Sequence, residues 1–116
     1  YEEAFPKLQK SNIDIISLEC HNSHVPIDLL ELIRGKKVMV GAIDVASNII
    51  ETPEEVANTL REALKYVDAD KLYPCTNCGM APLSREVARG KLNALRAGAD
   101  IIRRELSYRN EPENAA

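Results

Sequence analysis

The chain has 116 residues, 45% of them apolar and 28% charged, and a formal net charge of -3, enough for one small core and so for one domain or part of one. The charges come in mixed runs such as Arg103-Arg104-Glu105, which excludes the basic face that a nucleic-acid backbone requires. No apolar run approaches the ~20 residues needed to cross a bilayer, and nothing resembles a cationic leader, so no membrane partner and a cytoplasmic location are expected.

In chain order, Tyr1 to Lys10 reads as the end of a preceding helix broken by Pro6. The β-branched run Ile13 to Leu18 predicts a buried strand ending at Glu19. After a loop from Cys20 to His24, Pro26 opens a short helix whose Ile27, Leu29, Leu30, Leu32 and Ile33 are strongly apolar and which Gly35 stops. Val38 to Ile43 predicts a second buried strand, ending at Asp44. Thr52-Pro53-Glu54-Glu55 is a capping box with proline in the first helical position, and Val56, Leu60, Ala63, Leu64 and Val67 then repeat at helical spacing.

A third strand runs from Lys71 to about Pro74 and precedes a cysteine-bearing loop. Ser84 is the expected cap of a long last helix, with Ala88, Leu92, Leu95, Ala99, Ile102 and Leu106 along one side. Gly90 and Gly98 interrupt it, each at a cost of ~1 kcal/mol relative to alanine, so close packing against a neighbour is expected at both. From Tyr108 the polar tail is expected to fray. Three successive β-α units with doubly buried strands predict a parallel sheet. Three strands cannot close a barrel that needs ~250 residues, which leaves a small open sheet or the last part of something larger.

Each strand delivers a metal-capable or acidic group at its carboxyl end, where parallel α/β folds place their sites: Glu19, Asp44 and the Cys75/Cys78 pair. Asp44 could equally bind loop amides. Glu19 follows an apolar run, at the edge of a core where an unpaired charge is costly. Three cysteines is an odd number and reads as free thiols or metal ligands. A structural zinc site built from Cys20, His21, His24, Cys75 and Cys78 is the weaker alternative, because both histidines lie in a polar loop. A redox Cys-x-x-Cys is weaker still, because no helix begins at its first cysteine. Cys20 and Cys75 are most simply small buried residues.

Three stretches, Asp14-Ile15-Ile16-Ser17-Leu18-Glu19, Gly41-Ala42-Ile43-Asp44-Val45-Ala46-Ser47 with Thr52-Pro53-Glu54-Glu55, and Leu72-Tyr73-Pro74-Cys75-Thr76-Asn77-Cys78-Gly79-Met80, together resemble the cobalamin-independent methionine synthase family. The resemblance runs from about Tyr1 to Leu106. It implies that residues 1–116 are the C-terminal three β-α units of a (β/α)8 TIM barrel, the catalytic barrel of a zinc methyltransferase. It also implies zinc ligands at Glu19 and Cys78, completed by a His-x-Cys pair that has no counterpart here and is expected upstream. The implied reaction moves a methyl group to a small thiol, homocysteine giving methionine, with Asp44 orienting substrate or stabilising the departing donor.

Two departures bear on the donor. Ala46 stands where the full-length folate-using enzymes carry a histidine, and Cys-Thr-Asn-Cys-Gly-Met replaces Asn-Pro-Asp-Cys-Gly-Leu. Both draw the chain toward short, single-barrel relatives and leave the donor open between methyl-folate and a methylcorrinoid, with a methyl-delivering partner protein as a further expectation. The alternatives are a zinc-thiol alkyl transferase or lyase acting on another thiol such as coenzyme M, and a non-catalytic zinc-binding fragment.

Overall fold

The computed structural model describes residues 2–22 and 25–110. Three strands, β1 (Ile15–Glu19), β2 (Lys37–Ile43) and β3 (Leu72–Thr76), form one parallel sheet in the order β1-β2-β3. Helix α1 (Ala4–Lys10) precedes β1, a 3-10 helix (Ile27–Leu32) follows it, α2 (Pro53–Ala63) follows β2, and α3 (Arg85–Asn110) follows β3. The expected alternation of strand and helix is thus present. Pro6, expected to break a helix, lies instead in the first turn of α1, where its missing N–H has no intrahelical partner to lose. The segment after Pro26 is short and winds as 3-10, with Leu29 and Leu30 buried and Asp28 and Glu31 exposed, and Gly35 at φ +78 turns the chain into β2.

The strands, expected to be buried on both faces, are covered on one. In register, Ile16, Val38 and Leu72 lie side by side and point at the helices, and Val38 and Val40 are wholly buried there. The opposite face carries the row Ser17, Met39 and Tyr73, with Met39 36%, Tyr73 42% and Ile15 49% exposed. The molecule is accordingly a slab, 45 × 41 × 20 Å, whose short dimension holds one sheet and one layer of helices, each about 10 Å thick. Its radius of gyration is 15.1 Å, against about 13.4 Å for a compact globule of this length. Apolar residues on both faces are what makes such strands read as doubly buried, and the second layer is not among the described residues.

The helical layer is tightly set. Thr52 Oγ1 accepts the Glu55 N–H at 3.1 Å, starting α2 as the capping box requires, and Val56, Ala57, Leu60 and Ala63 are buried along one side. Full burial of side chains such as Leu60 or Val56 contributes about 1.5–3 kcal/mol each. Helix α3 begins with the Val87 N–H donated to Ser84 Oγ at 3.2 Å. It presses so close to α2 that a Cβ on Gly98 would lie 2.4 Å from Val56 Cγ1 and 2.8 Å from Pro53 O, and so close to the loop before α2 that a Cβ on Gly90 would lie 2.5 Å from Ile50 Cδ1; both glycines mark close packing, Gly98 the more strictly because backbone as well as side chain stands in the way. Arg61 clips the two helices at the surface, its Nε donating to Glu105 at 3.1 Å and its Nη1 to Glu54 at 2.7 Å.

The buried stripe of α3 departs from the one expected. Lys91, Ala94, Gly98, Ala99 and Ile102 face the core, whereas Leu92 is 47% exposed. Close approach selects small residues for the contact, and the larger apolar side chain was mistaken for it. The expected frayed tail beyond Asn110, residues 111–116, lies outside the described residues, as does His24.

A chain of residues 1–116 produced alone should self-associate or unfold without a cooperative transition, because it exposes a sheet face with Ile15, Met39 and Tyr73 and two sheet edges. Sedimentation and a thermal scan test this; a monomer with a sharp transition would show an autonomous domain.

Candidate active site at the carboxyl edge of the sheet

Glu19 is the last residue of β1 and stands opposite Gly41, which in turn stands opposite Cys75. The three form a row on the uncovered face. Strand β3, expected to end near Pro74, runs on to Thr76, so Cys75 is a strand residue and only Cys78 belongs to the loop. Asp44 follows β2 directly and is part-buried, while Glu19 and Cys78 are exposed. The cost expected for a charge at Glu19 is therefore largely relieved by solvent.

The loops after the two outer strands are laced together over the end of the middle one. Gly41 O accepts the N–H groups of both Cys20 and His21, at 3.1 and 3.0 Å. From the other side, Asn77 donates its backbone N–H to Ile43 O at 2.9 Å and its Nδ2 to His21 O at 2.8 Å. A Cβ on Gly41 would lie 2.3 Å from Asn77 Oδ1 and 2.9 Å from Leu18 O, so only glycine leaves room for this crossing. Asn77 Oδ1 is buried without a hydrogen-bond partner among the described residues. Thr76 Oγ1 donates to Cys78 O at 2.9 Å and fixes the loop that carries the exposed thiol.

The other two thiols sit deeper. Burial, the neighbouring Cys75 and, in the opposite direction, a backbone contact at Gly41 push Cys20 up to about 11. Burial also raises Cys75, and the Ser17 hydroxyl beside it works against that rise. In both, burial is the main cause of the rise. Among the described residues no group of three or more His, Cys, Asp or Glu side chains is placed to hold a metal ion. What the carboxyl edge offers is Glu19 and Cys78, an oxygen and a sulfur donor of the types that zinc accepts. They fit a zinc site as half of a four-ligand set.

A second cluster, absent from the expectations, supports Asp44 from below. Lys91 is 0% exposed and donates to Asp44 O at 2.8 Å, to Ile49 O at 2.7 Å and to Glu51 Oε1 at 2.9 Å. Glu51, 5% exposed, accepts the Asp44 N–H on its other oxygen at 2.8 Å. Asp44 Oδ1 accepts the Ala46 N–H at 2.9 Å, the loop-amide contact considered for it from sequence. A signal for Lys91 existed: it falls at helical spacing between Val87, Ala94 and Gly98, on the stripe that α3 buries.

A family model described as the catalytic domain of cobalamin-independent synthase matches residues 1–100. Among curated proteins, a 2-hydroxypropyl-CoM lyase of Xanthobacter autotrophicus is 37% identical over 109 residues, covering 88% of this chain and 29% of its own length. A methionine synthase of Sulfurisphaera tokodaii is 37% identical over 107 residues, covering 91% of this chain and 31% of its own length. The solved structure of a B12-independent methionine synthase from Shewanella sp. W3-18-1, in complex with selenomethionine, matches with a TM-score of 0.89 and 83% identity over 91% of this chain and 31% of that one. The chain spans about a third of the length of these proteins.

Gly41→Ala should destabilise the intact protein by about 1–3 kcal/mol, the usual cost of overpacking. Asn77→Ala in the same chain should recover part of that loss by removing the atom the new methyl meets. Denaturant unfolding of the single and double variants tests the coupling; strict additivity would show that Gly41 is needed for another reason.

Proposed function

As the chain belongs to the catalytic-domain family of cobalamin-independent methionine synthases, we propose that it serves a zinc-dependent methyltransferase that moves a methyl group to a small thiol, homocysteine to give methionine. Its fold is that of three β-α units of a (β/α)8 barrel. In this reading residues 1–116 are the C-terminal portion of the catalytic barrel, and the uncovered face of the sheet is its interior. The observation that carries the proposal is the carboxyl edge: Glu19 at the end of β1 and Cys78 in the loop after β3 are both exposed there, and Asn77 ties the β3 loop to the loop that follows Glu19.

Glu19 and Cys78 would hold the zinc together with a His-x-Cys pair from preceding strands. Cys78 is preferred to Cys75 because its thiol is exposed in the loop, whereas Cys75 is a part-buried strand residue. Bound zinc supplies a thiolate from the substrate thiol at neutral pH, which an ordinary thiol provides only in small part. Glu19, as a carboxylate oxygen donor, would be the more weakly held of this chain's two donors and the one able to give way to substrate. Asp44, aimed from the end of β2, orients the substrate or stabilises the leaving donor. The methyl side chain of Ala46 can neither give nor take a proton, so protonation of a leaving folate nitrogen falls to another group. A methylcorrinoid, or a methyl group brought by a partner protein, leaves without that demand and is the donor class we favour over methyl-folate.

A second reading has an observation of its own. Similarity to a 2-hydroxypropyl-CoM lyase favours the same zinc-thiol chemistry on another thiol, such as coenzyme M. A zinc-binding fragment without catalysis is the remaining alternative. No helix among the described residues is long and apolar enough to cross a membrane, and a cytoplasmic location is part of the proposal.

In the intact enzyme, Cys78→Ser and Glu19→Gln should each weaken zinc binding and lower thiol methylation at least 10-fold, while Cys75→Ser leaves the metal content nearly unchanged. Metal analysis after dialysis decides; equal zinc loss from Cys75→Ser would support a Cys-x-x-Cys module instead.

Donor choice is tested with zinc-loaded enzyme, homocysteine, and either methylcobalamin or 5-methyltetrahydrofolate. Faster turnover with methylcobalamin is expected. Fast turnover with the folate alone would place the missing acid elsewhere, and coenzyme M outpacing homocysteine as the thiol would favour the second reading.

A further inference from the structure

Asp44 lies at the start of the eight-residue connection 44–51 between β2 and the cap of α2, a stretch that includes the exposed Ile49 and Ile50. Such a connection would ordinarily wander. Here its backbone is gripped from inside the fold at both ends. Lys91 Nζ bonds the carbonyl of Asp44 at 2.8 Å and that of Ile49 at 2.7 Å. Glu51, ion-paired to the same ammonium at 2.9 Å, reaches back to the amide of Asp44 at 2.8 Å. Both peptide groups of Asp44 are therefore anchored to one buried ion pair, and the Ala46 N–H holds one oxygen of its carboxylate at 2.9 Å.

A long aliphatic residue at position 91 would fill the same space without the cost of taking two charges out of water, so core packing alone does not call for this pair. What lysine adds is three directed donors, and all three are used on Glu51 and the Asp44 loop. We propose that Lys91 and Glu51 are positioning residues for the reaction, a buried clamp that fixes the backbone of Asp44 and thereby the direction in which its carboxylate meets substrate. The proposal rests on the assignment of Asp44 as a substrate-contacting group. It adds a specific route by which α3, which carries none of the proposed metal or substrate contacts, governs turnover. Misplacement of a positioned group by about 1 Å costs on the order of 100-fold in rate.

The test uses the intact, zinc-loaded enzyme with homocysteine and the faster of methylcobalamin and 5-methyltetrahydrofolate. The double variant Lys91→Met/Glu51→Gln removes the clamp while leaving no lone buried charge. Its kcat should fall about 10- to 100-fold, with KM for homocysteine within about 3-fold and zinc content unchanged, and Asp44→Asn added to it should cost little more. Amide exchange should accelerate over residues 44–51 and not over β1 to β3. A rate per folded molecule within about 2-fold of the parent, beside an inactive Asp44→Asn, would overturn the clamp and spare the role of Asp44; an active Asp44→Asn would overturn both. If the double variant does not fold, exchange in the parent still decides. The Asp44 amide should be protected like those of the strands, and exchange as fast as that of an open loop would refute the proposal.

Discussion

A missing side chain holds the carboxyl edge together. Gly41 sits in the middle strand, and the chain crosses directly over it from both sides, Cys20 and His21 arriving from β1 and Asn77 from β3. Any Cβ there would push the two loops apart. Asn77 gives up a hydrogen bond to make the crossing, since its Oδ1 is buried without a partner, a loss of about 1–3 kcal/mol. Four bonds to backbone carbonyls are made at the crossing, two on Gly41 O and one each on Ile43 O and His21 O. The trade favours geometry over stability: the loop that carries Cys78 is tied to the chain just beyond Glu19, although β1 and β3 do not pair.

The same end of the sheet is supported differently beneath Asp44. There the bonds come from a buried charge pair on α3 and the loop before α2, not from neighbouring loops. Its contrast with Arg61 is informative. Arg61 joins α2 to α3 through Glu54 and Glu105 at the surface, where water screens the pair and conformational entropy offsets much of its worth. Lys91 is dry, and every one of its donors is spent on a polar partner. The surface network fastens helix to helix; the buried one fastens a helix to the loop that carries Asp44.

The elements themselves were readable from local chemistry. Thr52 to Glu55 started a helix where the capping pattern says it should, and the β-branched runs became parallel strands because nothing else satisfies such short apolar segments. Gly90 and Gly98 marked close packing correctly. The errors share a cause. Met39, Tyr73 and Ile15 look like core residues in sequence, and they face the uncovered side of the sheet, because which face is covered depends on packing partners that a local pattern does not specify. Leu92 and Lys91 exchanged roles: on an amphipathic helix a leucine is assigned to the core and a lysine to water. The buried acceptors Asp44 O, Ile49 O and Glu51, 40 or more positions away, reverse that. Asn77 was unreadable for the same reason, since its partner is a backbone carbonyl across the sheet.

Pro74 gives the open side of β3 a property of its own. Alternate residues of a strand direct their amides to opposite sides. Asn77 turns its amide toward β2, and Pro74 has the other parity, so the amide it lacks is one that would point outward. A strand laid against this edge finds a gap in the ladder at that point. The gap disfavours continuous pairing with any strand added there, that of a second copy of the chain included. Unwanted contact is thereby steered to the apolar face and to the outer edge of β1.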